Sequence, residues 1–243
     1  MGVVVGVVLA AVGLPLVGVL VLVVLGLGIS LWLWQAAPGA VVRAVGGRPS
    51  DEGEHPRLHN LVDGLCATMG LPRPTICLVD SAVPNAMAVG RDPSTASLVV
   101  TSGLDRSLTL VELEGVLAHE LVHIKRHDTV VSGIAVLAAL PWTLVGGTPK
   151  GSQKVHELIG RGREFSADQR AAEVVRYPPG IGSALEAMVD RPVEGASWPP
   201  GPGRVAQLTR WLWIDPTVGL PHDHQVEGNL DDTQVRAAAL SLG

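Results

Sequence analysis

The sequence predicts a mainly α protein with a small antiparallel β-sheet, set behind an N-terminal transmembrane anchor. Three observations predict it. Residues 1–42 carry no charged side chain, the segments after Arg57 show apolar residues at helical spacing, and two short β-rich runs lie between Pro and Gly punctuation.

All 41 acidic and basic residues fall in the last 201, so an apolar leader precedes a body of ordinary polarity. As one continuous helix, residues 1–42 would extend about 63 Å against a hydrocarbon core of about 30 Å. One helix spans with length to spare; alternatively, Pro15 and its neighbouring glycines break the run into a tight hairpin with a short first arm. A cleaved signal peptide is not expected, because no basic segment precedes the apolar stretch and the stretch is too long. Trp32 and Trp34 end the run where an interfacial aromatic belt would sit, with Arg43 and Arg48 just beyond. The positive-inside rule then puts the body on the cytoplasmic side of the cell membrane, whichever of the two topologies holds.

At 243 residues the chain suits one domain of moderate size plus an appendage, or two small domains, and excludes a large multidomain machine. With 47% hydrophobic and 17% charged residues it is too apolar for a disordered protein. Net charge of −5 offers no extended basic surface, which excludes nucleic acid as the main partner. Cys66 and Cys77, eleven apart, make no CxxC pattern and read as small buried apolar residues.

Leu58, Leu61, Val62, Leu65 and Met69 recur at helical spacing, with Gly70 as the stop signal. Thr75 to Val79 reads as a strand, followed by Pro84 to Gly90 and the β-rich Ser97 to Thr101. Thr109 and Glu112 have the capping-box spacing, so a helix runs from about Leu110 to Arg126. Residues 129–149 form a second uncharged stretch, interrupted by Pro141, and by length alone could cross a membrane. A helix is expected from about Val155 through Val175, a loop from Asp190 to Arg204, and a closing helix over Val235 to Leu240.

The chemistry lies in His119, Glu120 and His123, an HExxH motif inside the capped helix. Residues four apart on a helix differ by about 40° in azimuth and 6 Å along the axis, so both imidazoles leave one face and can share one metal ion. Neutral imidazoles suit Zn²⁺, with Glu120 placed to act as a general base on water. A tetrahedral catalytic zinc needs a third protein ligand and an open position. His127 lies eight residues past His123's partner His119 and has rotated about 80° away. His156 begins a second His-Glu pair with no second histidine at Gly160 and reads as a surface residue. Glu164 is the better candidate: on a helix it shares a face with Asp168, so Glu164 can bind metal while Asp168 reaches an imidazole N–H from outside.

Four segments in register carry a family resemblance: Pro84 to Gly90, Val99 to Leu104, Glu112 to Ile124, and Glu164 to Asp168. Over roughly residues 57–177 the chain closely resembles the HtpX and CAAX-prenyl-endopeptidase family of membrane zinc metallopeptidases. The resemblance implies a zincin-like, gluzincin-type domain over residues 43–243. It implies one zinc per chain on His119, His123 and Glu164, Glu120 as catalytic base and Asp168 as the outer partner of an imidazole. It also implies that Asn85, Ala86, Met87 and Ala88 form an edge strand to which a substrate peptide adds, Met87 standing where the family has Phe.

The chain departs from the family in two places. A His-Pro element lies six residues before an arginine near the family's C-terminus, and the pair is thought to polarise the scissile carbonyl. Arg236 matches the arginine and is expected to stabilise the transition state, but the histidine position holds Leu230, with His222 and His224 nearby and out of register. The family also usually has a pair of membrane helices between HExxH and the third ligand, where this chain has only residues 129–149. A single crossing there would put His119 and Glu164 on opposite sides of the bilayer. The stretch is therefore expected to be a re-entrant or interfacial hairpin bent near Pro141, or a buried helix pair.

The expected function is that of a membrane-anchored zinc endopeptidase whose partners are the lipid bilayer and unfolded or membrane-associated polypeptides. The alternative is a catalytically weak or inactive zinc-binding sensor or scaffold of the same fold. Prenyl-peptide processing is disfavoured, since in this family it uses a large multi-helix chamber.

Overall fold

The computed structural model describes residues 2–11, 15–160, 162–189, 198–201, 203–216, 218 and 233–241. Leu230, His222 and His224, and most of the loop expected from Asp190, lie outside the described residues. The chain divides into two compact units, residues 1–37 and 38–243.

The apolar run is two helices, α1 (Gly2–Ala11) and α2 (Pro15–Ala44), the residues of α2 from Pro38 onward being counted in the second unit. Pro15 opens α2, where its missing N–H is no loss. Gly2 lies against Leu25 and Gly6 against Leu22, so the two helices pair antiparallel. α1 is about 15 Å long, short of a crossing, whereas Val17–Ala44 is long and apolar enough to cross a membrane.

In the second unit β1 (Arg48–Pro49) precedes α3 (Pro56–Met69), which ends at Gly70 in the left-handed conformation. β2 (Thr75–Val79), β3 (Ala86–Val89) and β4 (Ser97–Thr101) complete a sheet of order β1-β2-β4-β3. The sheet is mixed: β1 and β3 pair antiparallel to their neighbours, while β2 and β4 run parallel in register from Thr75↔Ser97 to Val79↔Thr101. The expected antiparallel sheet differs at this pair because β3 folds back onto the outer edge of β4 and leaves β2 beside β4 in the same sense.

Alternation along the strands gives the sheet two covered faces. Ile76, Ala88, Leu98 and Val100 join α3, α4 (Ser102–Ser107) and α5 (Leu110–Lys125) in one core. Cys77, Met87, Val89 and Val99 join Val41, Val42 and Val45 in the other. α5 begins with the expected capping box, Thr109 and Glu112 bonding reciprocally, and every residue from Gly115 to Ile124 is buried. A helix buried on all sides is a core element, so HExxH is held at the centre of this unit.

The uncharged stretch lies in α6 (Asp128–Ala139) and α7 (Trp142–Ile159); Leu140 and Pro141 between them keep helical backbone angles, and the break expected near Pro141 falls instead within α7, at Gly146 (φ −141°, ψ 17°) and Gly147 (φ 71°, ψ −174°), where glycine permits the left-handed turn. Ala135, Val136, Ala139 and Val155 enter the second core, while Val131, Ile134, Leu144 and Val145 are exposed. The helix expected from Val155 to Val175 is instead two. Gly160 and Gly162 take φ of 85° and 77°, which ends α7 and starts α8 (Arg163–Val175) in a new direction. α9 (Pro178–Val189) crosses α5 closely, with Gly115 against the Ile181 backbone. α10 (Arg204–Leu208) and α11 (Thr233–Ser241) complete the described helices, the latter matching the expected closing helix.

Candidate metal centre

α5 presents His119 and His123 one turn apart, and α8 brings Glu164 in from its first turn. Their inner atoms cluster: His119 Nε2 lies 3.1 Å from His123 Nε2 and 3.1 Å from Glu164 Oε2, and His123 Nε2 lies 3.4 Å from the other oxygen of the same carboxylate, Oε1. A tetrahedral ion with bonds of about 2.0–2.1 Å sets its ligand atoms about 3.3–3.4 Å apart, so the two ring nitrogens and the carboxylate approach one another at separations of the size such a site needs. The donor chemistry agrees. Two imidazole nitrogens and a carboxylate converge in a buried place, an electron-rich arrangement that a cation satisfies.

The outer ring nitrogens face carboxylates as well. His119 Nδ1 lies 2.8 Å from Asp168 Oδ1, an ion-pair distance at which the ring nitrogen is not aligned for a straight hydrogen bond. His123 Nδ1 lies 2.9 Å from Asp128 Oδ2. Asp128 escaped the sequence reading. Its only signal was an acidic residue just past the end of the HExxH helix, and no helical spacing connects it to His123.

Burial disfavours the charged form of His119, yet Asp168 and Glu164 outweigh it and raise its pKa to about 9. Burial also works against Glu164 as an anion, but His123 and His119 hold it well below the usual carboxylate range. Glu120 is pushed up by burial. Asp168 is held low against its own burial, chiefly by Arg236.

Arg236 is wholly buried, its Nε and Nη2 bonding Asp168 and its Nη1 bonding the Ile214 carbonyl. It stands behind Asp168 rather than open toward a substrate carbonyl, with Nη1 3.9 Å from Glu164 Oε2. The other expected site residues divide. β3 is an edge strand, but Asn85 is fully buried and bonds both backbone groups of Asp215, while the Ala86 carbonyl accepts from Ile214 N–H. Backbone groups alternate between β4 and the open edge, so with Asn85 bonded to Thr101 and Ala86 turned outward to Ile214, Ala88 is the next outward backbone position on that edge, while the Met87 side chain packs in the second core. His127 forms the turn after α5, and no metal-ligand group among the described residues includes it. His156 is half-buried and stacks on Trp211 at 3.9 Å, where with Ile159, Trp213 and Pro216 it lines a notch beside Glu164.

A family profile described as Peptidase family M48 matches residues 52–212, about two thirds of the chain and the whole of the HExxH and Glu164 region. The chain belongs to peptidase family M48. Its relatives include proteins named Protease HtpX homolog. The one from Salinibacter ruber is 36% identical over 169 residues, covering 61% of this chain and 61% of the relative. That of Tropheryma whipplei (strain Twist) is 37% identical over 172 residues, with 58% of each covered. That of Pyrococcus furiosus is 34% identical over 179 residues, covering 60% and 62%. The M48 chain thus spans about three fifths of the length of the curated relatives it matches.

Proposed function

We propose that this M48 chain is a membrane-anchored, zinc-dependent endopeptidase in which His119, His123 and Glu164 hold the metal and Glu120 is the general base. The observation that carries the reading is the convergence of the His119 and His123 Nε2 atoms, 3.1 Å apart, on the Glu164 carboxylate, at 3.1 Å from Oε2 and 3.4 Å from Oε1, beside Glu120 on the same helix as the two rings. Two imidazoles and one carboxylate favour zinc among the common divalent ions. A zinc ion bound by these three residues would supply Lewis acidity and lower the pKa of water at the site. Glu120 accepts a proton from the attacking water and delivers it to the leaving amine. Asp168 keeps the His119 ring oriented, and Arg236 orients Asp168.

A substrate strand would add beside Ala88, because the Asn85–Ala86 end of β3 is engaged by residues 214–215. The relatives named as proteases support a polypeptide substrate, unfolded or membrane-associated in this reading. The apolar helix Val17–Ala44 would hold the chain in the bilayer, with Arg43 and Arg48 favouring a cytoplasmic site. The exposed Leu144 and Val145, immediately before the break at Gly146 and Gly147, suit an interfacial hairpin. Nothing in the family or the geometry favours the inactive scaffold.

The test compares casein hydrolysis by the detergent-solubilised full chain with zinc against the Glu120→Gln variant. Loss of activity with zinc retained is expected, and equal activity would defeat the reading.

A further inference from the structure

We propose that Asp128 is a positioning residue of the metal centre, fixing the ring of His123 so that its Nε2 lone pair faces the metal; this rests on the zinc reading above. The Asp128 Oδ2 atom lies 2.9 Å from His123 Nδ1. A neutral imidazole has one N–H, and a carboxylate can only accept. Placing that hydrogen on Nδ1 leaves Nε2 as the free acceptor, and Nε2 is the atom that faces His119 and Glu164.

The contact exists only because the helix breaks. On a continuous α-helix a residue five positions on lies about 140° round the axis and faces away. Here α5 ends at Lys125, and His127 takes the left-handed conformation at φ 61° and ψ 21°. The chain reverses, and Asp128 opens α6 with its carboxylate turned back onto the ring. A left-handed backbone is unfavourable for a residue with a Cβ, so the turn is held by what surrounds it.

The surrounding contacts tie this turn to the third ligand. Arg163 Nη1 bonds Ser132 Oγ at 2.8 Å and reaches the Asp128 carbonyl at 3.4 Å, while its Nη2 bonds Glu164 Oε1 at 3.2 Å. Ser132 Oγ donates to the same Asp128 carbonyl at 3.1 Å. Arg126 Nε lies 3.7 Å from Asp128 Oδ2, a looser contact than that of His123. The start of α6 is therefore held between the HExxH helix and the Glu164 helix, with its one carboxylate on a ligand ring.

The experiment measures zinc affinity of the full chain in detergent by chelator competition, for the unsubstituted protein, Asp128→Ala and Asp128→Asn, beside melting of each metal-free form. Asp128→Ala should weaken zinc about 10–100-fold. Asp128→Asn, whose Oδ1 still accepts from Nδ1–H, should recover much of that, with unchanged metal-free melting. Equal affinity in Asp128→Ala overturns the proposal, as does a loss that Asn fails to recover. Histidine ¹⁵N NMR of the zinc-loaded unsubstituted chain needs no variant: His123 should bind through Nε2 with Nδ1 protonated, and binding through Nδ1 overturns it. An unsubstituted chain that binds no zinc defeats the functional reading itself, and this proposal with it.

Discussion

Arg236 grips Asp168 through two hydrogen bonds, Nε to Oδ2 at 2.6 Å and Nη2 to Oδ1 at 2.8 Å, with both side chains removed from solvent. The pair joins α11 to α8 and places the carboxylate against His119 Nδ1. A guanidinium engaged in this way reaches the candidate metal centre through Asp168 and His119.

Replacing the arginine leaves Asp168 as a buried charge with half its support. Arg236→Met should destabilise the protein by about 3–5 kcal/mol, read by chemical denaturation. Arg236→Lys should recover only part, because an ammonium cannot reproduce the two-pronged contact. Unchanged stability in both would show that the arginine is not holding the fold through Asp168.

Glu164 is the proposed ligand supplied from another helix, so its removal tests convergence. Purified Glu164→Ala should contain well below one zinc per chain by elemental analysis, with far-ultraviolet circular dichroism retained. Full zinc content would mean that another group completes the site.

The raised His119 pKa gives the metal-free protein a defined pH response. The folded state binds this proton more tightly than the unfolded chain does, so the stabilisation is complete below the ordinary value of 6.5 and is lost as pH rises toward about 9. Metal-free melting temperatures should fall over that window. In the proposed zinc-bound form the metal would take the place of the proton, so the loaded protein should lack this decline; melting with and without chelator from pH 6 to 9.5 checks both halves.

Asn85 pins residues 214–215 to β3 through Nδ2 to the Asp215 carbonyl at 2.7 Å and Oδ1 from Asp215 N–H at 3.1 Å. Asn85→Ala removes both of these bonds in a buried place and should cost about 1–3 kcal/mol of stability by denaturation. A change in the Michaelis constant with no change in stability would return Asn85 to direct substrate contact.

The meeting of His119 and Glu164 constrains topology. Lys125 and Lys150, which lie on either side of the uncharged residues 129–149, should be labelled by a membrane-impermeant amine reagent from the same side of the bilayer. Labelling from opposite sides would contradict the site.

By itself the sequence determined the uncharged N-terminal run, the capping box at Thr109 and the HExxH spacing. These rest on contacts within about one helical turn, or on composition, and so are visible in a linear string. It also named Glu164 and Asp168, whose four-residue spacing makes a shared helix face. Only the tertiary structure decided the rest. Asp128 reaches His123 through a left-handed turn at His127, which no helical period encodes. Arg236 meets Asp168 across 68 positions of chain, and Asn85 meets Asp215 across 130, and such pairings depend on how the helices pack. The break at Gly160 and Gly162 belongs to the same class: glycine permits a left-handed backbone anywhere, and the packing of α8 beside α5 selects it here.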